Sequence, residues 1–199
     1  MGKIQNVTFL GYADSKEDDS LFKAAFEVAK LCAKNGYTVV NGGGPGVMKA
    51  ATLGAKSSGG KTIGITFYPR DLPLFEGRDE SNIVDELIVE DNYVKRTLKL
   101  LAYGQTFIFF NGGTGTISEF AMAWGLARLY YGHHKPLILY GDFWQEIIFA
   151  FTKNMYIRSE ERQVFKIVDT PEDVIGAISE FESKLSKQKH LHENPIFRI

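Results

Sequence analysis

Residues 106–119, with the sequence TFIFFNGGTGTISE, constrain the fold of this chain more than any other stretch. The first five are β-branched or aromatic and carry no charge, so the run is too short for a helix and too apolar for an edge strand. We therefore predict a central strand of a parallel sheet, covered on both faces. The asparagine and glycines at residues 111–115 then lead into a helix that we expect to begin near Thr116.

The turn into this helix has two interpretations. A glycine-rich turn before a helix leaves backbone N–H groups bare, and the helix dipole favours negative charge there, so the turn is suited to bind an anion. Alternatively, the glycines only tighten the turn, and the side chains of Thr116 and Glu119 form a capping box that satisfies the N–H groups. For Glu119, this stretch alone leaves both interpretations open.

A second glycine-rich turn, NGGGPG at residues 41–46, follows a predicted strand and opens a helix at Val47. Its three consecutive glycines, Gly42, Gly43 and Gly44, exceed what a reverse turn requires, since each costs conformational entropy on folding. The carboxyl ends of parallel strands meet at one edge of a sheet, where open α/β sheets hold ligands. The two turns together predict a site for a phosphate-bearing ligand.

Strand and helix patterns alternate along the chain, which predicts an α/β fold in one domain at residues 1–185 with a tail at 186–199. On the helix predicted at residues 92–103, Lys95 and Lys99 are expected on a solvated face. The apolar residues expected to face the sheet from that helix are Val94, Leu98, Leu101 and Ala102. Asp142 is expected to cap the helix that follows it. The strands are expected at residues 6–11, 37–40, 61–67, 86–89, 106–110, 136–140 and 165–168.

Composition excludes several classes of partner. The formal net charge of -1 offers no field to attract nucleic acid or an anionic membrane. The amino-terminal sequence lacks the apolar core of a signal peptide, and no apolar run approaches the ~18 residues of a membrane span. The single cysteine, Cys32, excludes a disulfide framework and is expected to be a buried, inert thiol. We therefore expect a cytoplasmic protein without nucleic-acid or membrane partners.

Familiar cofactor and metal motifs do not fit the sequence. Residues 55–62, AKSSGGKT, nearly match a phosphate loop, but the first glycine is missing and a helix precedes where a strand should. Asn41 stands where a dinucleotide-binding strand carries its ribose-binding carboxylate. His133 and His134 are expected to be loop residues at the amino edge of the sheet. His190 and His192 lack a third ligand, so we predict no metal site.

Two further segments carry predictions about the surroundings of the site. Residues 68–85 are irregular, proline-containing and highly charged, so they are expected to form a lid or rim beside the ligand. The helix expected at residues 116–131 is apolar nearly all round, more than one face against a sheet requires. A partner subunit would cover the rest, so we predict a homodimer.

The two turns resemble the signature of a known family. GGGPGVMKAA at residues 42–51 resembles the GGGPGxMEAA motif, and NGGTGTISE at residues 111–119 resembles the PGGxGTxxE motif, of the LONELY GUY family. Its members were often labelled lysine decarboxylases, and the characterised ones are cytokinin riboside 5'-monophosphate phosphoribohydrolases. The resemblance implies a doubly wound, mainly parallel Rossmann-like sheet with helices on both faces, a dimer and a nucleoside 5'-monophosphate substrate.

The resemblance also implies the catalytic residues. The family has an arginine 15 residues before the second motif, which is Arg96 here, and it acts together with the motif glutamate, Glu119. Two positions depart from the family: Asn111 replaces proline and Lys49 replaces glutamate. No lysine is singled out for a Schiff base, so pyridoxal phosphate chemistry, and with it any cofactor, is not expected.

The function expected from these residues is hydrolysis of the N-glycosidic bond of a nucleoside 5'-monophosphate, giving free base and ribose 5-phosphate. The phosphate is expected on N–H groups of the second motif, with Gly43 and Gly44 beside the sugar and Glu119 stabilising the positive charge that develops on the ribose. The phosphate-binding residues expected in the second motif are Gly112, Gly113, Thr114, Gly115 and Thr116. A carrier of a phosphorylated cofactor, like the molybdenum-cofactor carriers, is the alternative. A nicotinamide oxidoreductase has only the fold in its favour.

Overall fold

Seven parallel strands pair in the order β4-β3-β2-β1-β5-β6-β7. In the computed structural model, which describes residues 4–69 and 77–187, the strands are β1 (Asn6–Leu10), β2 (Thr38–Asn41), β3 (Thr62–Phe67), β4 (Glu86–Glu90), β5 (Thr106–Phe109), β6 (Leu137–Tyr140) and β7 (Phe165–Val168). Each lies within one residue of its predicted bounds. The helices are α1 (Ser20–Lys34), α2 (Val47–Lys56), α3 (Tyr93–Tyr103), α4 (Thr114–Leu129), α5 (Phe143–Asn154) and α6 (Pro171–Lys187). The predicted α/β, Rossmann-like fold with one parallel sheet is confirmed.

The order of the strands creates a switch point between β1 and β5. From β1 the chain adds β2, β3 and β4 outward on one side, and it then crosses back to place β5, β6 and β7 on the other side. Val7 pairs with Thr106, and Leu10 with Phe109, so these two strands are neighbours although their connections leave in opposite directions. A crevice at such a point is where open α/β sheets hold ligands.

Helices cover both faces of the sheet because strand side chains alternate between them. Phe9 belongs to the core shared with α1, α2 and α6. Leu10 belongs to the core shared with α3, α4 and α5. On the latter face, Phe120 packs edge-on against Phe109 with ring centroids 5.5 Å apart, which fixes α4 against the central strand. As predicted, Cys32 is fully buried, and burial raises the pKa of its thiol to about 12.

The predicted orientation of α3 was wrong at its first turn. Val94 is 61% exposed, whereas Arg96 and Thr97 face the sheet together with Leu100 and Leu101. Val94 and Arg96 each belong to a set of residues with helical spacing. The apolar pattern favours burial of the set that contains Val94, because a hydrophobic pattern gives no reason to bury an arginine. The observed orientation places Arg96 against Glu119, so a distant ion pair decides the rotation of this helix.

The prediction that Asp142 caps α5 was wrong in part. Asp142 lies at the N-cap of α5, but its side chain accepts from the Gln145 side chain (3.1 Å) and makes no bond to the helix backbone. His134 lies in the loop before β6, as predicted, and is buried there. Its ring stacks on Tyr131, and its Nδ1 accepts from the N–H of Gly132 at 3.3 Å, so it packs as a core aromatic residue.

The termini and the predicted lid are described only in part. The predicted tail includes His190 and His192, which lie outside the described residues, and helix α6 continues to Lys187. Of the predicted lid, residues 70–76 also lie outside them. In residues 4–69 and 77–187, every helix is too short or too polar to cross a lipid bilayer.

Candidate active site

A cleft of about 490 Å³ lies at the switch point, between the end of β1 and the turn that joins β5 to α4. Its size is that of a pocket for a small organic ligand. The described residues that line it are Phe9, Leu10, Gly11, Tyr12, Ala13, Met48, Tyr93, Arg96, Gly113, Thr114, Gly115, Thr116, Ser118 and Glu119. The cleft therefore combines an apolar and aromatic wall with the second glycine motif and an arginine–glutamate pair.

The amino end of α4 supplies N–H groups to this cleft. Helix α4 begins at Thr114, two residues before the predicted start, with Gly113 at its N-cap and no side chain capping it. The first bond of the helix runs from the N–H of Ile117 to the carbonyl of Gly113 at 3.0 Å. The N–H groups of Thr114, Gly115 and Thr116 precede that bond and have no acceptor among the described residues. Together with the helix dipole, they make this end of the cleft receptive to an anion.

Arg96 and Glu119 meet at the cleft as a buried ion pair. Nη1 of Arg96 donates to Oε1 of Glu119 at 2.5 Å, and only 7% of Arg96 and 5% of Glu119 are exposed. Nε of Arg96 also donates to the carbonyl of Ile65, in β3, at 3.2 Å. The capping-box interpretation of Glu119 is wrong, because this carboxylate lies in the second turn of α4 and is directed at the arginine.

The environment of Glu119 shifts the pKa of its carboxyl group. Burial raises the pKa of its carboxyl group above the ordinary 4.5, and the Arg96 guanidinium opposes that shift. A carboxyl group whose pKa is raised by burial beside a charged partner, inside a cleft, is typical of acid–base catalysis. The pair therefore provides a group that can hold or exchange a proton at the wall of the cleft.

The first glycine turn lies next to this pair but does not line the cleft. The side chain of Asn41 accepts from the N–H of Gly43 (2.8 Å) and donates to Thr52 Oγ1 (2.9 Å), so this residue holds the turn in place. Gly42 packs directly against the guanidinium of Arg96. Among the described residues, Gly42, Gly43 and Gly44 contact protein groups, and their predicted contact with a ligand stays a prediction.

The carbonyl groups of the first turn are bound by the end of the predicted lid. The carbonyl of Gly43 accepts from Nη1 of Arg78 (2.8 Å) and from the N–H of Asp79 (3.1 Å). The carbonyl of Gly44 accepts from Nδ2 of Asn82 at 2.7 Å. The described part of the segment beyond residue 76 is therefore bonded to the first turn rather than folded over the cleft.

The second motif divides into lining and supporting residues. Six of the predicted site residues line the cleft: Gly113, Thr114, Gly115, Thr116, Arg96 and Glu119. Gly112 is not among the lining residues. A Cβ on it would lie 2.3 Å from Oγ1 of Thr116, so it packs beneath that side chain.

Eight of the described lining residues were not among the predicted site residues, and three of them contact the glycine turns or Arg96 directly. Tyr12 joins the two turns, since its N–H donates to Asn111 (2.9 Å) and its carbonyl accepts from Val47 (3.0 Å). Tyr93 precedes Arg96 by one helical turn, and its ring lies 5.9 Å from the guanidinium carbon. Met48 borders the same guanidinium. The spacing of Tyr93 from Arg96 was the one available signal, because residues three apart share a helix face.

The two departures from the family motifs lie at the margin of the site. Lys49 forms a long ion pair with Glu17 (3.7 Å) and does not line the cleft. Asn111 uses its carbonyl to bind the N–H of Tyr12, a contact that a proline carbonyl would make equally well. Neither departure alters the ion pair or the bare N–H groups.

A parallel Rossmann-like sheet with a glycine-rich turn and a buried arginine–glutamate pair at its switch point defines a class of α/β proteins with a ligand cleft at the carboxyl edge. Within that class, this chain belongs to the SLOG cluster4 family, whose sequence profile matches residues 4–175. The resemblance predicted from the two glycine motifs is confirmed by this match and by the relatives that follow.

Sequence relatives include named enzymes. A cytokinin riboside 5'-monophosphate phosphoribohydrolase of Mycobacterium tuberculosis is 35% identical over 129 residues, which cover 64% of this chain and 66% of the relative. A probable enzyme of the same name from rice is 26% identical over 181 residues, or 83% of this chain and 70% of the relative. An uncharacterized protein of Archaeoglobus fulgidus is 29% identical over 139 residues, or 70% of this chain and 86% of the relative.

Solved structures with the same fold include proteins with a different role. The molybdenum cofactor binding protein of Rippkaea orientalis is 26% identical, with a TM-score of 0.67, covering 92% of this chain and 99% of that one. The molybdenum cofactor carrier protein of Chlamydomonas reinhardtii is 23% identical, with a TM-score of 0.64, covering 93% and 100%. The second of these likenesses concerns the fold alone.

Proposed function

We propose that this protein hydrolyses the N-glycosidic bond of a nucleoside 5'-monophosphate, releasing the free base and ribose 5-phosphate. The observation that carries this proposal is the buried pair of Arg96 and Glu119, which shares one cleft with the bare N–H groups of α4. The phosphoribohydrolase relatives support the same reaction. The substrate's phosphate and its anomeric carbon would then be held by groups that line the same cleft.

Each group has a distinct task in this reaction. The N–H groups at residues 114–116 bind the 5'-phosphate, whose charge the helix dipole also favours. As the bond to the base breaks, positive charge develops on the ribose, and the carboxylate of Glu119 stabilises it or accepts a proton from the attacking water. Arg96 stays protonated and therefore acts by holding Glu119 ionised and oriented.

The reaction is tested by incubating the protein with AMP and measuring ribose 5-phosphate. Wild-type protein is expected to release it, and Glu119→Gln to lower the rate by about 100-fold or more. Glu146→Gln makes the same chemical change at an exposed position on α5 and should leave the rate unchanged. Full turnover by Glu119→Gln would contradict the proposed role of this residue.

A carrier of a phosphorylated cofactor is the second candidate. It is favoured by the likeness to the molybdenum cofactor binding protein of Rippkaea orientalis over nearly the whole chain. Such a protein needs the anion-binding end of the cleft but no reaction at Glu119. Tight binding of several nucleoside monophosphates without release of ribose 5-phosphate, measured by calorimetry and product chromatography, would favour the carrier.

We also propose that α4 pairs with a second copy of the chain in a cytoplasmic homodimer. Three apolar residues of α4, Ile117, Met122 and Leu129, are between 37% and 66% exposed. Met155, at the C-cap of α5, lines an apolar groove of about 270 Å³ together with Ile117, and Phe149 of α5 is also exposed. Sedimentation should give a dimer that Leu129→Glu converts to monomer, and a monomeric wild type would refute the pairing.

A further inference from the structure

The guanidinium of Arg96 is held on three sides by separate parts of the fold. Its Nε donates to the carbonyl of Ile65, its Nη1 donates to Glu119, and its Nη2 lies 3.9 Å from Sδ of Met48. The fourth neighbour is the backbone of the first glycine turn at Gly42. The side chain of Arg96, a residue that is only 7% exposed, therefore lies against this turn between α3 and Glu119.

The backbone conformation of Gly42 does not explain why this residue is a glycine. It is absent from the glycines with positive φ, which in this turn are Gly43 and Gly46. A Cβ built on it would instead lie 1.7 Å from Nη2 and 2.9 Å from Cζ of Arg96. Any side chain at position 42 would therefore occupy the space that the guanidinium now fills.

The turn itself cannot easily move away from such a side chain. Asn41 binds the N–H of Gly43, and Arg78 and Asn82 bind the carbonyls of Gly43 and Gly44. The free end of a long side chain shifts at lower cost than a backbone fixed by several hydrogen bonds. An alanine at position 42 is thus expected to displace the arginine and leave the turn in place.

We propose that Gly42 is a positioning residue for Arg96, and that the first glycine turn acts on catalysis by placing this arginine against Glu119 rather than by contacting the ligand. This inference rests on the proposed hydrolysis for its effect on rate. It gives a role to the first motif, whose glycines do not line the cleft. The sulfur of Met48 would lie 2.7 Å from the same Cβ, so it also borders this position.

The test is a double-mutant cycle between Gly42→Ala and Arg96→Ala, read by ribose 5-phosphate release from AMP. Each single variant is expected to lower the rate by about 100-fold, and the double variant to be no slower than Arg96→Ala alone. Gly176→Ala adds the same methyl group on exposed α6, where no atom lies within 4 Å, and should keep the wild-type rate. A further 100-fold loss in the double variant, or a wild-type rate in Gly42→Ala, would overturn the proposal.

A second measurement does not require turnover. Carbon-13 NMR titration of the Glu119 carboxyl group should show a higher pKa in Gly42→Ala than in the wild type, as in Arg96→Ala, because the opposing cation has left. If AMP is not hydrolysed, the proposed function fails and this titration still decides the inference. An unchanged titration in Gly42→Ala would refute it. Should Gly42→Ala alone fail to fold, recovery of folding in the double variant supports the proposal, and continued failure overturns it.

Discussion

Replacing Arg96 by methionine leaves Glu119 as an unpaired anion inside the protein. The side chains of this pair are only 9% and 7% exposed, so little water is available to compensate the lost partner. Breaking a buried pair from one side typically lowers the free energy of unfolding by about 3–5 kcal/mol. Because a domain of ordinary stability has about 5–15 kcal/mol in total, the variant is expected to fold but to be severely destabilised at neutral pH.

The loss of stability in Arg96→Met is expected to increase as the pH rises. Burial already raises the folded-state pKa of Glu119 above 4.5, and removal of Arg96 raises it further. The folded state then binds a proton more tightly than the unfolded state does, so this contribution to stability is present below pH 4.5 and is lost as the pH rises through the folded-state pKa. The free energy of unfolding of Arg96→Met is therefore expected to be closest to that of the wild type in acid and furthest below it near pH 7.

Urea unfolding followed by circular dichroism between pH 4.5 and 8 measures this difference. The double variant Arg96→Met, Glu119→Gln should lose the pH-dependent part, since it contains no buried carboxyl group at this position. Lys95→Met removes a neighbouring, exposed cation of α3 and should leave the unfolding midpoint unchanged. An equal loss at every pH, or an equal pH dependence in the double variant, would show that lost packing and not the unpaired charge is responsible.

Burial lowers the pKa of His134 from 6.5 to about 4, so the wild type should lose up to about 3 kcal/mol as the pH falls through this range, and His134→Phe should lack that loss in urea unfolding. Gly54→Ala should be destabilising by more than about 1 kcal/mol despite better helix propensity, because its Cβ would lie 2.1 Å from the Phe26 carbonyl oxygen, whereas Gly176→Ala, in open space, should stabilise. Hydrolysis of AMP should decline as the pH falls through a pKa above 4.5, and a residual rate in Glu119→Gln should not show this decline.

The strands and both glycine turns could be predicted from sequence because their causes are local. The uncharged, β-branched and aromatic run at residues 106–110 can be buried on both faces only as a central strand, and the structure places it there as β5. A glycine-rich turn after such a strand ends at the carboxyl edge whatever the rest of the chain does. The alternation of strands and helices then predicts that the sheet is parallel, so that both turns lie at the same edge.

The geometry of the site depended on contacts between distant residues, which local patterns do not contain. Val94 and Arg96 compete for the inner face of α3, and only the presence of Glu119, 23 residues further along, decides for the arginine. Arg96 was selected by family resemblance and not by its own neighbours. The contact of Gly42 with that arginine joins β2 to α3 across β3, so no spacing within one segment could reveal it.

The buried ion pair gives a way to test the two candidate functions against each other. A buried salt bridge is weak evidence for stability, because apolar residues of similar volume often stabilise a fold equally well. A protein that only carried a phosphorylated ligand could bind it with the N–H groups of α4 and fill the remaining space with apolar side chains. The presence of Arg96 and Glu119 inside the cleft is explained if the carboxylate acts on a bound ligand. Glu119→Gln is therefore expected to lower turnover far more than it lowers affinity for a nucleoside monophosphate, and equal losses of both would favour the carrier.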